Sequence, residues 1–162
     1  MAYGSGAICN AAMERLLTAI PLDELRPWSG SLIWRKQDVS GRPYWGVGRF
    51  WGLEAASVGP DADLMELEWN GNEVRLDDSK EPVALVRRGL ETLLAWREQL
   101  ARDWPESAFY LLLSLDWGED EIPPSVTLRF WAVREGAPWM EPVPAELEKF
   151  DQPVRMEWVN IS

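Results

Sequence analysis

The amino-acid sequence predicts an α+β fold, with a largely antiparallel sheet of about seven strands packed by one long helix and an N-terminal helix. Three observations lead to this prediction. The stretch from Glu81 to Trp104 has helical periodicity, and several shorter segments alternate between apolar and polar residues as strands do. The chain has 162 residues, of which 46% are apolar, enough for a sizeable core. We therefore expect one domain over residues 1–162, with residues 1–6 loose.

The long helix is predicted from its apolar stripe and from the prolines at its ends. Pro82 suits a first helical turn, where its missing N–H is not needed, and Pro105 ends the helix. Residues at steps of three and four form the stripe. These are Val83, Val86, Leu90, Leu93, Leu94, Arg97, Leu100 and Trp104.

A first helix is predicted over residues 7–20, because Ile8, Ala12, Leu16 and Ile20 recur at helical spacing before Pro21. The single cysteine, Cys9, falls within this stretch. A small core residue is the preferred interpretation of Cys9, since a nucleophilic thiol needs an activating partner.

Strands are predicted in three groups. Segments 32–37 and 44–53 flank a turn cluster at residues 39–43, and segments 64–69 and 72–77 flank Asn70-Gly71. After the long helix, the nearly continuous apolar run 109–115 suits a central strand, paired antiparallel with 126–134. Residues 145–150 suit one or two helical turns and residues 154–161 a last strand. Gly46 and Gly48 share a strand face, where we expect an aromatic ring or a helix to pack, with a ligand as the alternative.

The second hairpin is predicted from its turn. Asn-Gly is the preferred two-residue hairpin loop, because both residues tolerate positive φ. The register it sets would point Met65, Leu67 and Trp69 inward. It would leave Glu66 and Glu68 on the outer face.

Composition excludes several kinds of site. The chain has no histidine and one cysteine, which removes His-based catalysis, His-based metal sites and cysteine zinc clusters. No glycine-rich phosphate loop is present, and no apolar run is long enough to span a membrane. The formal charge of -11 argues against nucleic acid as a partner. We expect a cytoplasmic, non-enzymatic protein that binds no cofactor, metal or membrane.

The negative charge is concentrated in two segments. Residues 61–81 carry a net charge of about -6 and residues 116–121 about -4, so the rest of the chain nearly balances. If both segments share one face, that face would attract a basic partner, with Trp117 as an anchor. The candidate partner-binding residues are Glu66, Glu68, Asp78, Asp116, Trp117, Glu119, Asp120 and Glu121.

With these features the chain resembles the immunity proteins of bacterial polymorphic-toxin systems, which are small acidic proteins that bind and block a cognate toxin. The resemblance covers the whole chain and rests on its size, its 11 tryptophans, its acidic hairpin and the missing catalytic residues. It implies a basic toxin or effector domain as the partner. Inhibition would follow either from occlusion of the toxin active site or from locking of the toxin conformation.

Two alternatives belong to other functional classes. A small enzyme or ligand-binding domain would use carboxylates and aromatic rings in a pocket around Asp116, Glu119, Trp45 and Trp51. A subunit of a phage or secretion assembly is the other alternative. The sequence does not fix an oligomeric state.

Overall fold

The computed structural model describes residues 4–28, 32–48, 58–59, 62–134 and 143–161. Seven strands, four α-helices and one 3₁₀ helix follow one another along these residues. In chain order they are β1 (Gly4–Cys9), α1 (Ala11–Leu17), a 3₁₀ helix (Leu22–Glu24), β2 (Ile33–Gln37), β3 (Pro43–Val47), α2 (Leu64–Gly71), β4 (Val74–Leu76), α3 (Pro82–Asp103), β5 (Phe109–Asp116), β6 (Ser125–Ala132), α4 (Pro144–Leu147) and β7 (Val154–Ile161).

The predicted α+β class and the predominantly antiparallel pairing are confirmed. Five strands form one sheet in the order β1-β7-β5-β6-β4, with every pair antiparallel. β5 is its central strand, as its continuous apolar sequence predicts, and β6 returns beside it. β2 and β3 form a separate two-stranded sheet, so the seven strands are divided between two sheets.

The main core lies between α3 and one face of the large sheet. Leu93 of α3 and Leu111, Leu113 and Phe130 of the sheet have no exposed surface. The opposite face carries a smaller apolar cluster that includes Leu112 and residues of α2 and α4. None of the helices in the described part of the chain combines the length and apolarity that a membrane span requires.

The long helix α3 begins and ends as predicted, but its buried face is rotated slightly. Leu85 and Trp96 are buried, although neither belongs to the predicted stripe, whereas Val83 is 38% exposed. Gly89 also faces the sheet, and a Cβ added there would lie 2.7 Å from Leu113 Cδ1. The absence of a side chain at Gly89 therefore lets the helix approach the sheet closely.

The prediction of a helix from residue 7 is wrong for its first residues. Residues 4–9 form β1, so Cys9 lies in a strand, and residues 4–6 belong to the same strand. The helix begins only at Ala11, because the Asn10 side chain caps it and accepts a hydrogen bond from Met13 N. Gly6 is required in β1, since an added Cβ would overlap the ring of Trp158.

Asn10 also joins the start of the chain to its last strand. Its Nδ2 donates to the carbonyl oxygens of Leu147 at 3.2 Å and Gln152 at 2.8 Å. Its Oδ1 accepts from Val154 N at 3.0 Å. One buried amide therefore satisfies backbone groups of α1, α4 and β7 together.

The predicted Asn70-Gly71 hairpin is wrong. Residues 64–71 form helix α2, and Asn70-Gly71 is its last turn. Asp63 caps this helix, since its carboxylate accepts from Met65 N at 3.0 Å and Glu66 N at 3.1 Å. Only Val74–Leu76 of the expected second strand is extended, and it pairs with β6.

The β2–β3 hairpin confirms the packing predicted at Gly46. A Cβ added to Gly46 would overlap the ring of Trp34, which crosses from β2. Gly48 lies beyond β3 with a positive φ of 57°, and its carbonyl accepts from Trp34 Nε1 at 3.1 Å. Residues 49–53 of the predicted strand, including Trp51, lie outside the described residues.

The turn between β2 and β3 is organised by Asp38, whose side chain has no exposed surface. Its carboxylate accepts hydrogen bonds from Ser40 N, Ser40 Oγ and Arg42 N at 2.9, 2.8 and 2.8 Å. Burial alone would raise the Asp38 pKa, but the hydrogen bonds from Ser40 and Arg42 outweigh it and lower the pKa to about 2.

Candidate functional site

The loop 116–121 and the acids that follow β4 approach each other at one end of the large sheet. Asp116 of β5 pairs with Ser125, and Leu76 of β4 pairs with Val126. Asp77, which follows β4, therefore lies about 10 Å from Asp116, two strand spacings away, and Asp78 is the next residue. We call Asp77, Asp78, Asp116, Glu119, Asp120 and Glu121 the acidic end.

The loop from Asp116 to Pro124 has a defined conformation. Asp116 Oδ1 accepts from Gly118 N at 2.9 Å, and Glu119 and Ile122 form an isolated antiparallel bridge. Gly118 has a φ of 75°, and a Cβ there would collide with the Ile122 carbonyl oxygen. This conformation leaves Trp117 53% exposed and Ile122 60% exposed, although both are large apolar residues.

The acidic end is only partly neutralised by neighbouring cations. Arg88 Nη1 lies 2.5 Å from Asp78 Oδ2, but both side chains remain about half exposed. Lys80 lines a surface cavity of about 710 Å³ together with residues 117–124. Glu119, Asp120 and Glu121 are exposed and form no ion pair among the described residues.

An apolar groove borders the acidic end on the side of α1. The groove has a volume of about 570 Å³ and lies between α1 and the first turn of α3. Trp117 lines this groove and also the cavity beside the acidic loop, so it joins the two. The remaining lining residues are Ala12, Arg15, Leu16, Ala19, Pro82, Val83 and Asp151.

Two predicted binding residues do not belong to this surface. Glu66 is exposed, but it lies on α2, which packs toward the far end of β6. Glu68 has no exposed surface and cannot contact a partner in this fold. The prediction of an acidic face is therefore wrong for Glu68, which is buried. Glu66 is exposed but lies away from the acidic end, because the segment that carries both residues is a helix.

Glu68 is instead the acceptor of a buried polar cluster. Its carboxylate forms a bidentate pair with Arg134, at 2.6 Å to Nη1 and 2.9 Å to Nη2. The same carboxylate accepts from Trp45 N at 2.8 Å and Ala132 N at 2.9 Å. Glu68 thus links α2 to both sheets.

Asn72 continues this link one turn later. Its Oδ1 accepts from Val47 N at 3.1 Å, and its Nδ2 donates to the carbonyls of Trp45 at 3.1 Å and Phe130 at 3.2 Å. Neither role was predicted, because residues 64–77 were expected to form a hairpin with Glu68 on its outer face and Asn72 opposite Trp69.

The residues of the alternative enzyme pocket are not brought together. Trp45 stacks edge-on against Phe109, at the start of β5, with 5.0 Å between ring centroids. Asp116 is at the other end of that strand, about 23 Å away at about 3.3 Å per residue. Trp51 lies outside the described residues. Within those residues, no three His, Cys, Asp or Glu side chains converge as metal ligands would.

No protein-family model matches the chain, and no curated protein or solved structure matches it significantly. The interpretation of the acidic end therefore depends on its own residues and geometry.

Proposed function

We propose that the acidic end and the apolar groove bind a basic protein partner, and that the chain neutralises a cognate toxin or enzyme in the cytoplasm by this direct contact. The observation that carries the proposal is the position of Trp117. This half-exposed indole lies where a strongly acidic loop meets an apolar groove. Such a junction suits a protein surface with apolar and basic residues side by side.

The charges would act mainly before contact. A concentrated negative surface attracts a positively charged partner and accelerates encounter, an effect that salt screens over about 8 Å at physiological strength. Exposed carboxylates contribute little to the stability of the fold itself, about 0–1 kcal/mol each. The acidic residues therefore support a role in association better than a role in folding.

The apolar residues would act after contact. Aromatic side chains that enter a desolvated pocket are frequent binding hot spots. Trp117 and Val83 line the groove and Ile122 lines the adjoining cavity. All three are exposed, so they offer apolar area that folding leaves in water. Their burial by a partner would slow dissociation.

Association kinetics with the partner test the proposal, and the product of a neighbouring toxin gene is the first partner to use. The variant with Asp116, Glu119, Asp120 and Glu121 changed to amides should lower the on-rate. A matched variant changes four exposed acids elsewhere, at Asp23, Glu24, Glu98 and Glu106, and alters the net charge equally. We expect the first variant to slow association more strongly, and rising salt to remove the difference.

The anchor is tested separately. Trp117→Ala should raise the off-rate, with a loss of about 2 kcal/mol in binding free energy if the indole is a hot spot. Leu32→Ala is the control, since Leu32 is 79% exposed and precedes β2, outside the groove. Three results together would reject the proposed surface. These are a wild-type on-rate that does not change with salt, charge variants whose on-rates equal that of wild type, and an unchanged off-rate for Trp117→Ala.

A further inference from the structure

A second site lies in a small cleft between the 3₁₀ helix, α3 and β7. The cleft has a volume of about 150 Å³, which corresponds to about five water molecules. One side is apolar and the other is charged. The lining residues are Leu22, Leu25, Leu90, Leu94, Arg97, Arg155 and Glu157.

The charged side contains more positive than negative groups. Arg97 Nη1 lies 3.0 Å from Glu157 Oε1, and Arg155 Nε lies 2.9 Å from Glu157 Oε2. The Glu157 side chain is 5% exposed, whereas those of Arg97 and Arg155 are 29% and 18% exposed. One carboxylate thus divides its two oxygens between two guanidinium groups, so these three side chains together carry a net positive charge.

None of the other guanidinium nitrogens of Arg97 and Arg155 is both buried and without a partner. Among the described residues, the only buried side-chain nitrogens or oxygens without a partner are the indoles of Trp45 and Trp96. Arg155 also forms a side-chain hydrogen bond with Cys9. The N–H groups of Arg97 and Arg155 that have no protein partner therefore keep contact with solvent, and both residues line the cleft. They form no ion pair with a second carboxylate in the described part of the chain.

The neighbouring cysteine does not supply the missing negative charge. Cys9 pairs with Arg155 across β1 and β7. Burial raises the pKa of the Cys9 thiol, although Arg155 opposes this effect. The thiol is therefore neutral at physiological pH and leaves the positive charge of Arg155 in place.

We propose that this cleft binds a short-chain carboxylate. Planar guanidinium groups suit carboxylate oxygens, and two of them converge here with free donors. The leucines of the 3₁₀ helix and α3 form a wall for a short alkyl chain, and the volume limits its length. The site differs from the acidic end in residues and in charge, and it binds independently of any protein partner.

A titration followed by NMR tests this site, with butanoate as the probe and butylamine as a control of equal chain length and opposite charge. Butanoate should cause saturable shifts that map to the methyl groups of Leu90 and Leu94 and to the side chains of Arg97 and Arg155. Inorganic phosphate should bind more weakly, because it makes no use of the apolar wall. Shifts that do not saturate, that map elsewhere or that butylamine reproduces would overturn the proposal, as would tighter binding of phosphate.

Variants test whether the Arg97 guanidinium group contributes to butanoate binding. Arg97→Gln should weaken butanoate binding by about tenfold, because it removes charge-assisted hydrogen bonds while Arg155 still pairs with Glu157. Arg102→Gln, on the same helix with a 68% exposed side chain, is the control and should leave the affinity unchanged. Equal affinities in the two variants would also overturn the proposal. The wild-type titration retains its meaning even if Arg97→Gln does not fold.

Discussion

Replacement of Glu68 by alanine is expected to destabilise the fold severely, although sequence reasoning placed this residue on an exposed face. The change removes the acceptor for Trp45 N and Ala132 N, and each buried N–H left without a partner costs about 1–3 kcal/mol. It also leaves Arg134 without its carboxylate, but this side chain is 24% exposed and regains some hydration. We expect a total loss of about 3–5 kcal/mol, the range for a broken buried ion pair.

The matched control is Glu66→Ala, two residues earlier on the same helix. Glu66 is exposed in the first turn of α2, where a carboxylate contributes at most about 1 kcal/mol through the helix dipole. Urea unfolding followed by tryptophan fluorescence gives both free energies. A loss at Glu68 within about 1 kcal/mol of the loss at Glu66 would refute the buried-acceptor role, since surface changes stay near that size.

Three further predictions concern the core, a close packing contact and a titrating turn. Leu93→Ala and Leu112→Ala should each cost about 2–5 kcal/mol in urea unfolding, because each residue is buried on one face of the sheet; a loss below that range in both would contradict the two cores. Gly46→Ala should cost about 1–3 kcal/mol through overlap with the indole packed on it, whereas Gly59→Ala, with nothing within 4 Å of the new Cβ, should cost far less. Asp38 has a folded-state pKa of about 2, below an unfolded value of about 3.9, so its stabilisation is present above about pH 4 and is lost toward pH 2. The advantage of wild type over Asp38→Asn in urea midpoint should therefore shrink over that interval, and a constant difference would contradict the assignment.

The elements that sequence reasoning predicted well are those in which one local signal has no competitor. Prolines at 82 and 105 enclose α3, and its apolar spacing suits only a helix. The apolar run that became β5 is too short for a helix across the core and suits a strand covered on both faces. In both cases the tertiary environment supports the local preference.

The segment that became α2 shows how a strong local signal can mislead. Asn70-Gly71 favours a hairpin turn, but Asp63 is an equally good helix cap, with Glu66 three residues later as in a capping box. The decisive factor is tertiary. As a helix, the segment places Glu68 against Arg134 and Ala132 N, which lie more than 60 positions later, and against Trp45 N, which lies 23 positions earlier. No local sequence pattern predicts a hydrogen-bond partner so distant in the chain.

The candidate site was predicted in part for the same reason. The acidic loop after β5 was correctly located because Asp116, Gly118 and the two prolines at 123 and 124 define a loop by local chemistry. The approach of Asp77 and Asp78 to that loop follows from strand order, which the sequence did not fix. The apolar groove beside Trp117 depends on the relative placement of α1 and α3 and could not be predicted.

The position of β7 between β1 and β5 determines when the sheet can be completed during synthesis of the chain. β1 has β7 as its only neighbour in the described sheet, and Ile8 pairs with Met156. A ribosome adds about 5–20 residues per second, so β1 emerges roughly 7–30 s before its partner. During that interval β5 also has a free edge, of the kind that invites pairing with other chains. A nascent chain that stalls before Val154 is therefore expected to be prone to aggregation. Once β7 is present, this one strand pairs with both β1 and β5.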